Sequence, residues 1–174
     1  MKNSVRITAG KYRGREILTP GAGTHPMGSR ERLALFNSIS ASLPGAAVLD
    51  TFAGSGALGI EALSRGASFV TFVEKSPVAA QIIKENLAKL ELDEQSEVIV
   101  GDLEKYFTAK RFNLILADPP YDDFNANIIV QLTKFLDENG ILVLSHPGDA
   151  PELGGLRLAK TTAYAGARIS IYYR

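Results

Sequence analysis

Cysteine is absent from the 174 residues. That removes disulfides, thiolate zinc sites and every thiol nucleophile. Histidine is scarce: His25 and His146 are the only two, too few to build a metal cluster by themselves, so no metal is expected. No apolar run approaches the roughly 20 residues that cross a bilayer. The opening MKNSVRITAG has no apolar stretch of the secretory kind. A cytoplasmic protein with no membrane contact is the expectation. Internal repeats and low-complexity segments are also missing.

What is present is an ordinary globular composition, 45% hydrophobic and 22% charged. The length suits one domain with a real core and a short appendage. Net charge is zero but unevenly spread. Up to Arg32 there are seven bases (Lys2, Arg6, Lys11, Arg13, Arg15, Arg30, Arg32) against two acids, Glu16 and Glu31. The first segment therefore carries +5 and the remainder −5. A basic arm on an acidic body suits a chain that touches nucleic acid at one end; a solvated basic hairpin fits the charge equally well.

Residues 4–18, SVRITAGKYRGREIL, alternate apolar and basic around Ala9-Gly10 and Gly14, which predicts two short strands and a tight turn. TPGAGTHPMG is a breaker-rich loop. Ser29 is placed to cap a helix in SRERLALFNSISASL, where Leu33, Phe36, Ile39 and Leu43 recur at helical spacing. From Ala46 the pattern alternates: strand AAVLDTF, helix ALGIEALSRG, strand FVTFVE, then a helix VAAQIIKENLAKL capped by Ser76 with Pro77 in its first turn. Strand EVIVG, a short helix near LEKYF, strand FNLILA, helix NIIVQLTKFL and strand ILVLSH, entered at Asn139-Gly140, follow. GLRLAKTTA and ARISIYYR close the sheet as an antiparallel pair. Such alternation predicts an α/β fold, a mostly parallel sheet with helices on both faces. Residues 1–24 would form the arm and its loop, and residues 25–174 the main domain.

In open parallel sheets ligands bind beyond the carboxyl ends of the strands, and four of those ends are unusual here. DTFAGSGALG places Asp50, Phe52, Gly54, Gly56 and Gly59 after the first strand. Glu74 ends the second, Gly101-Asp102 the third, and Asp118-Pro119-Pro120-Tyr121 the fourth. The glycines match G-x-G-x-x-G, with Glu74 about 20 residues on for ribose hydroxyls; by itself this suits NAD and S-adenosylmethionine alike. Asp50 separates the two. It would repel a pyrophosphate, whereas opposite charges 4 Å apart attract by about 4 kcal/mol at an effective dielectric near 20. A cationic donor is favoured, although one acid there also serves as a plain helix cap. Asp102 has the same two readings, an acceptor for an adenine amino group or an N-cap for the helix at Leu103.

The corner Asp118-Pro119-Pro120-Tyr121 resembles the (N/D)PP(Y/F) motif of methyltransferases that act on amino groups. A planar amine is a poor nucleophile because its lone pair is delocalised. A carboxylate and a proline-fixed carbonyl accepting its two N–H groups would orient it, and an aromatic face would carry the planar target. Methylation at pyrimidine carbon 5, which normally uses a cysteine nucleophile, is not expected.

RITAGKYRGREI, THPMGSRERLALFNSI, VLDTFAGSGALGIEALSRGA, FVEKS and LADPPY together resemble the bacterial 16S rRNA guanine-N(2) methyltransferase family, with a weaker echo in YAGARISIYYR. The resemblance implies a class I (Rossmann-like) fold of seven strands with an antiparallel last pair. It implies S-adenosylmethionine as donor and a guanine 2-amino group, in 16S rRNA or an assembling small ribosomal subunit, as acceptor. Carried over by position, Asp50, Phe52, Gly54 and Gly56 line the methionine end. Glu74 takes the ribose, and Asp102 and Leu103 the adenine. Asp118, Pro119, Pro120 and Tyr121 hold the target base. Arg6, Lys11, Arg13, Arg15, Arg30 and Arg32 would face RNA, and a monomer is expected. His25-Pro26-Met27 stands where the family has Arg-Pro-Thr, and Leu33 where it has an acid, so the target-side loop departs from the pattern. Other readings are an amino-group methyltransferase for adenine or a protein glutamine, an NAD-dependent oxidoreductase, and an RNA-binding protein without catalysis.

Overall fold

Runs of branched and aromatic residues, buried on both faces in the central strands, build the sheet. The computed structural model describes residues 4–21, 27–164 and 167–174. Within them β3 (Ala47–Thr51), β4 (Phe69–Glu74), β5 (Ser96–Val100) and β6 (Phe112–Ala117) pair in parallel. β7 (Leu136–His146) joins β6 in parallel, while β8 (Arg157–Tyr164) and β9 (Ala167–Tyr173) are antiparallel. The seven-stranded order is β5-β4-β3-β6-β7-β9-β8. Alternate residues go to opposite faces: Val48, Leu114, Leu116 and Val143 enter one core cluster, and Leu49, Ile115, Ala117 and Leu144 the other. Helices α1 (Ser29–Ser38), α2 (Ala57–Ser64) and α3 (Pro77–Lys89) supply Phe36, Ile60 and Ile83 to the first cluster. The second is covered by α4 (Ala126–Leu132) through Ile129 and Leu132. No helix among the described residues is long and apolar enough to cross a membrane.

The expected α/β fold is present, with local differences. Ser76 caps α3 as predicted, its Oγ accepting from the Ala79 N–H at 3.3 Å. Ser29 instead is the first helical residue of α1, behind Gly28, with no side-chain cap. The helix stops at Ser38, and a 3-10 turn (Ser40–Ser42) follows. Leu33 is 40% exposed while Arg32 is buried. The inward position one turn before Phe36 is filled by an arginine, because a buried acid waits for it on α2. LEKYF forms only a 3-10 turn (Leu103–Lys105), and α4 gives way to another (Thr133–Phe135). Asn139-Gly140 lies inside β7, in a bulge where the register jumps from Phe112↔Leu136 to Leu114↔Ile141.

The N-terminal hairpin, β1 (Ser4–Arg6) with β2 (Glu16–Leu18), is a separate two-stranded sheet. Its strands are joined by a wide loop rather than the expected tight turn, because that loop bonds to α2. Ser64 Oγ donates to the Ala9 carbonyl at 2.6 Å and accepts from the Tyr12 N–H at 3.0 Å. The Lys11 N–H donates to the Ser64 carbonyl at 2.7 Å. Gly10 lies so close that a Cβ would come within 1.9 Å of that carbonyl oxygen. All eight residues of α2 are consequently buried, as its apolar-all-round sequence ALGIEALS requires.

Glu61 is the exception in that sequence, an acid with 0% exposure. Its carboxylate accepts from the Thr8 N–H (2.8 Å), the Thr8 hydroxyl (2.6 Å), the Ala9 N–H (3.0 Å), Arg65 Nε (2.8 Å) and Arg32 Nε (3.4 Å). Burial alone would raise its pKa, but the bonds from Thr8 and Arg65 outweigh that and hold it below the ordinary glutamate value. Removing one member of a buried ion pair typically costs about 3–5 kcal/mol. Glu61→Ala should therefore lower unfolding free energy in urea by about that amount. A depressed folded pKa contributes stability above the unfolded value and loses it as pH falls through the folded value. The deficit should therefore be full at neutral pH and shrink in acid below about pH 4. A cost under about 1 kcal/mol, or one independent of pH, would show that Glu61 does not hold the hairpin.

Candidate active site

After β5 the chain returns across the sheet to place β6 beside β3. No connection covers the gap between these two strand ends, which is where ligands settle in such sheets. Thr51 pairs with Ala117, so Phe52 and Asp118 leave the sheet side by side. A cavity of about 490 Å³ opens there.

Asp50 forms part of its floor. The residue is 1% exposed, and Oδ2 accepts from the Gly59 N–H at 2.8 Å, one of the free donors in the first turn of α2. Burial, together with the nearby Asp118 and Glu74 charges, raises its pKa well above the usual carboxylate range despite that bond. Asp50 is thus a helix cap and a cavity wall at once.

The loop after β3 turns on left-handed backbone. Phe52 (φ 56°) adopts it although not a glycine, and Gly54 (φ 57°) and Gly56 (φ 79°) follow. Strain of this kind in a bulky residue collects at functional loops. Gly59 is required for another reason: a Cβ there would meet the Phe72 ring at 2.3 Å, so this glycine lets α2 lie against β4. Glu74 ties the loop down, accepting from the Gly54 N–H at 2.7 Å and the Ser76 N–H at 2.8 Å. Asp102, exposed at the third tip, caps the short turn through the Glu104 N–H at 3.0 Å.

At the fourth tip Asp118 is partly buried, Pro119 buried, and Pro120 and Tyr121 exposed. Burial raises the Asp118 pKa, and a hydrogen bond from Ser145 opposes the rise. Of the residues expected around a donor, Asp50, Phe52, Gly54, Glu74, Asp102 and Leu103 line the cavity, with Asp118 and Pro120. Gly56 lies outside its walls, where its Cα position faces Ile83 and Ile60, and Pro119 and Tyr121 do not line it either.

The basic residues divide. Arg6, Lys11, Arg13, Arg15 and Arg30 are exposed, Arg6 paired to Glu16 at 3.1 Å. Arg32, expected to face RNA, is a correction: it is 1% exposed and bonded to Glu61, the Met27 carbonyl and the Arg6 carbonyl. A guanidinium so enclosed cannot reach a phosphate. His25 and Pro26 lie outside the described residues, whereas Met27 lines the cavity.

Sequence reasoning missed several residues. Thr19 and Pro20, just after the hairpin, form part of the cavity wall. Asn86, 0% exposed, bonds both the N–H (2.7 Å) and carbonyl (2.9 Å) of Leu18 and the Ser55 carbonyl (3.0 Å), joining the hairpin to the glycine loop. Among the described cavity-lining residues the acids are Asp50, Glu74, Asp102, Glu104, Asp118 and Asp123; the one base is Lys75, 3.8 Å from Asp123.

A seven-stranded sheet with an antiparallel final pair, a glycine loop after its first central strand and a DPPY corner at the switch point define a class I methyltransferase. The family described as conserved hypothetical protein 95 matches residues 5–173, and the chain belongs to it. "Putative rRNA methyltransferase YlbH" of Bacillus subtilis is 34% identical over 97% of this chain and 98% of its own. "Ribosomal RNA small subunit methyltransferase D" of Haemophilus influenzae is 39% identical over 81% of this chain and 75% of its own. Among solved structures, "Putative methyltransferase yhhF" from Escherichia coli superposes with a TM-score of 0.87 at 28% identity, covering 99% of this chain and 98% of that one.

Gly59→Ala should overpack the α2–β4 contact and cost about 1–3 kcal/mol in denaturant unfolding. A variant as stable as the parent would mean that α2 shifts freely, and that the third glycine is not a packing requirement.

Proposed function

We propose that this protein transfers a methyl group from S-adenosylmethionine to the exocyclic 2-amino group of a guanine in small-subunit (16S) rRNA. The observation that carries this reading is the charge of the cavity, six carboxylates against one paired ammonium. Such walls repel a dinucleotide pyrophosphate and suit a ligand with an ammonium and a sulfonium. Asp50 supports the same view, since a buried acid with a raised pKa regains its ionised form when a cation arrives. The RNA substrate is supported by the names of the rRNA methyltransferase relatives and by the exposed basic hairpin.

Bound at the strand tips, S-adenosylmethionine supplies a methyl carbon made electrophilic by its sulfonium. Asp50 lowers the energy of cationic charge on the floor of the site. Glu74 uses one lone pair of each oxygen for backbone N–H groups and keeps others for ribose hydroxyls. Asp102 accepts from an adenine amino group, and Leu103 packs beside the ring. Asp118 and the Pro119 carbonyl accept the two N–H groups of the target amine, so that its lone pair points at the methyl carbon, and the Tyr121 ring stacks on the base. The new N–C bond would replace the donor's S–C bond, the neutral thioether S-adenosylhomocysteine leaving, and the proton shed by the nitrogen would pass to Asp118. Holding the partners in line supplies much of the acceleration. Residues 1–24 act as the RNA-gripping arm and residues 25–174 as the catalytic domain. Acidic walls keep phosphates out of the cavity while a neutral base enters.

Labelled donor and 16S rRNA, naked or in small subunits, should yield N2-methylguanosine by mass spectrometry of digested RNA. Asp118→Ala should lower kcat by about a hundredfold or more with donor affinity within a few fold. Methylated adenine or a methylated protein glutamine as product would move the acceptor, and full activity of the variant would remove Asp118 from the reaction. Replacing Arg13 and Arg15 by Ala should weaken RNA binding and flatten the slope of log K against log salt by about one unit per arginine. An unchanged slope would make the arm structural.

A further inference from the structure

The two prolines fix the backbone of the DPPY corner, but they fix neither the Asp118 carboxylate nor the Tyr121 ring. A residue on another strand reaches both. The β6–β7 register pairs Ala117 with Leu144, so the next residues, Asp118 and Ser145, emerge as neighbours. Ser145 is 1% exposed. Its Oγ lies 2.6 Å from the Tyr121 phenolic oxygen, and the register sets it beside Asp118, whose raised pKa its hydroxyl opposes.

A serine hydroxyl has one proton to give and two lone pairs to receive. Ionised Asp118 only accepts, so the Ser145 proton goes to Asp118 and Ser145 in turn accepts from Tyr121. The chain of bonds therefore has one direction: Tyr121 O–H to Ser145 Oγ, Ser145 O–H to Asp118. Protonating Asp118 reverses it and turns the carboxylate from an acceptor into a donor, the wrong role toward an amine.

We propose that Ser145 is a positioning residue for methyl transfer, orienting the carboxylate and the stacking ring of the DPPY corner together through this directed chain. The inference rests on reading Asp118 to Tyr121 as the amine clamp. Fixed by Ser145, one part of the carboxylate is occupied and the remainder is presented to the amine N–H, while the ring is held at the angle the base must adopt. The groups facing Asp118 are few. Asp50 approaches from β3, and the Asp118 charge opposes its ionisation; Tyr121 and Asp123 belong to the corner's own loop. From β7 the register brings Ser145 beside it, whereas His146, the next residue, is engaged elsewhere, its Nε2 2.8 Å from Ser170 Oγ. Ser145 is thus the donor that favours the ionised form of Asp118.

The test is the pH profile of kcat at saturating donor and RNA for the parent, Ser145→Ala, Ser145→Thr and Tyr121→Phe, with donor affinity measured separately. Ser145→Ala should lower kcat about ten- to a hundredfold and move the acid limb to higher pH, because the carboxylate has lost its donor. Donor affinity should stay within about twofold. Ser145→Thr, which keeps the hydroxyl on a residue suited to strands, should restore kcat to within about threefold and return the limb to its place. Tyr121→Phe should lower kcat without moving the limb, since Ser145 still donates to Asp118. A Ser145→Ala variant with parental kcat, or with reduced kcat and an unmoved acid limb, would overturn the proposal by reducing Ser145 to packing. Asp118→Ala in the same assay separates the two readings: if it is inactive while Ser145→Ala is unaffected, only the role of Ser145 fails, and if it is active, the clamp itself fails.

Discussion

The return of the chain from β5 to the far side of β3 is the constraint from which the site follows. Two parallel strands, β3 and β6, become neighbours without any connection between their ends. Their tips are left open, and the residues just beyond them, Phe52 and Asp118, are held at strand spacing. A carboxylate placed there sits in a partly desolvated crevice beside other carboxylates. Burial raises the pKa of both Asp50 and Asp118, neighbouring charges add to the rise at Asp50, and the crevice favours a cation.

Electrostatics then divides the molecule. The acidic cavity occupies the sheet tips, while Arg13, Arg15, Lys11 and Arg30 stand exposed on the hairpin and α1. Two buried polar knots hold these regions in register. Glu61 binds the hairpin loop, Arg32 and Arg65 around α2, and Asn86 links Leu18 to Ser55 on the glycine loop. Buried polar groups this fully bonded specify one arrangement, since any slip leaves a donor or acceptor unmet in a dry interior. Hairpin and donor loop are thereby positioned relative to each other, with Thr19 and Pro20 contributing to the cavity wall.

Much of this was legible beforehand. Strand–helix alternation gave the parallel sheet, and acids or glycines at four successive strand ends located the cavity. The continuously buried runs of β3 and β6 and the Ser76-Pro77 cap behave as local chemistry says they should. The departures share a cause. Local spacing groups Arg32 with surface bases, Leu33 with the core, and residues 4–18 with a tight-turned hairpin, because none of these stretches contains α2. Glu61, a lone acid in mid-helix, looks like a solvated position. Only the covering of α2 by both the hairpin and α1 makes it the anchor that draws Arg32 inward and turns Leu33 out.

By itself the sequence determined which chemistry gathers where the strands end, because motifs such as Gly54-x-Gly56 and Asp118-Pro119-Pro120-Tyr121 carry backbone geometry and ionisable groups within a few residues. Tertiary structure alone decided which side chains support that chemistry. Ser145 meets Tyr121 from 24 positions away, Asn86 meets Leu18 from 68, and Glu61 meets Thr8 from 53. Those meetings depend on sheet register and on which helix covers which face, and no local spacing encodes either.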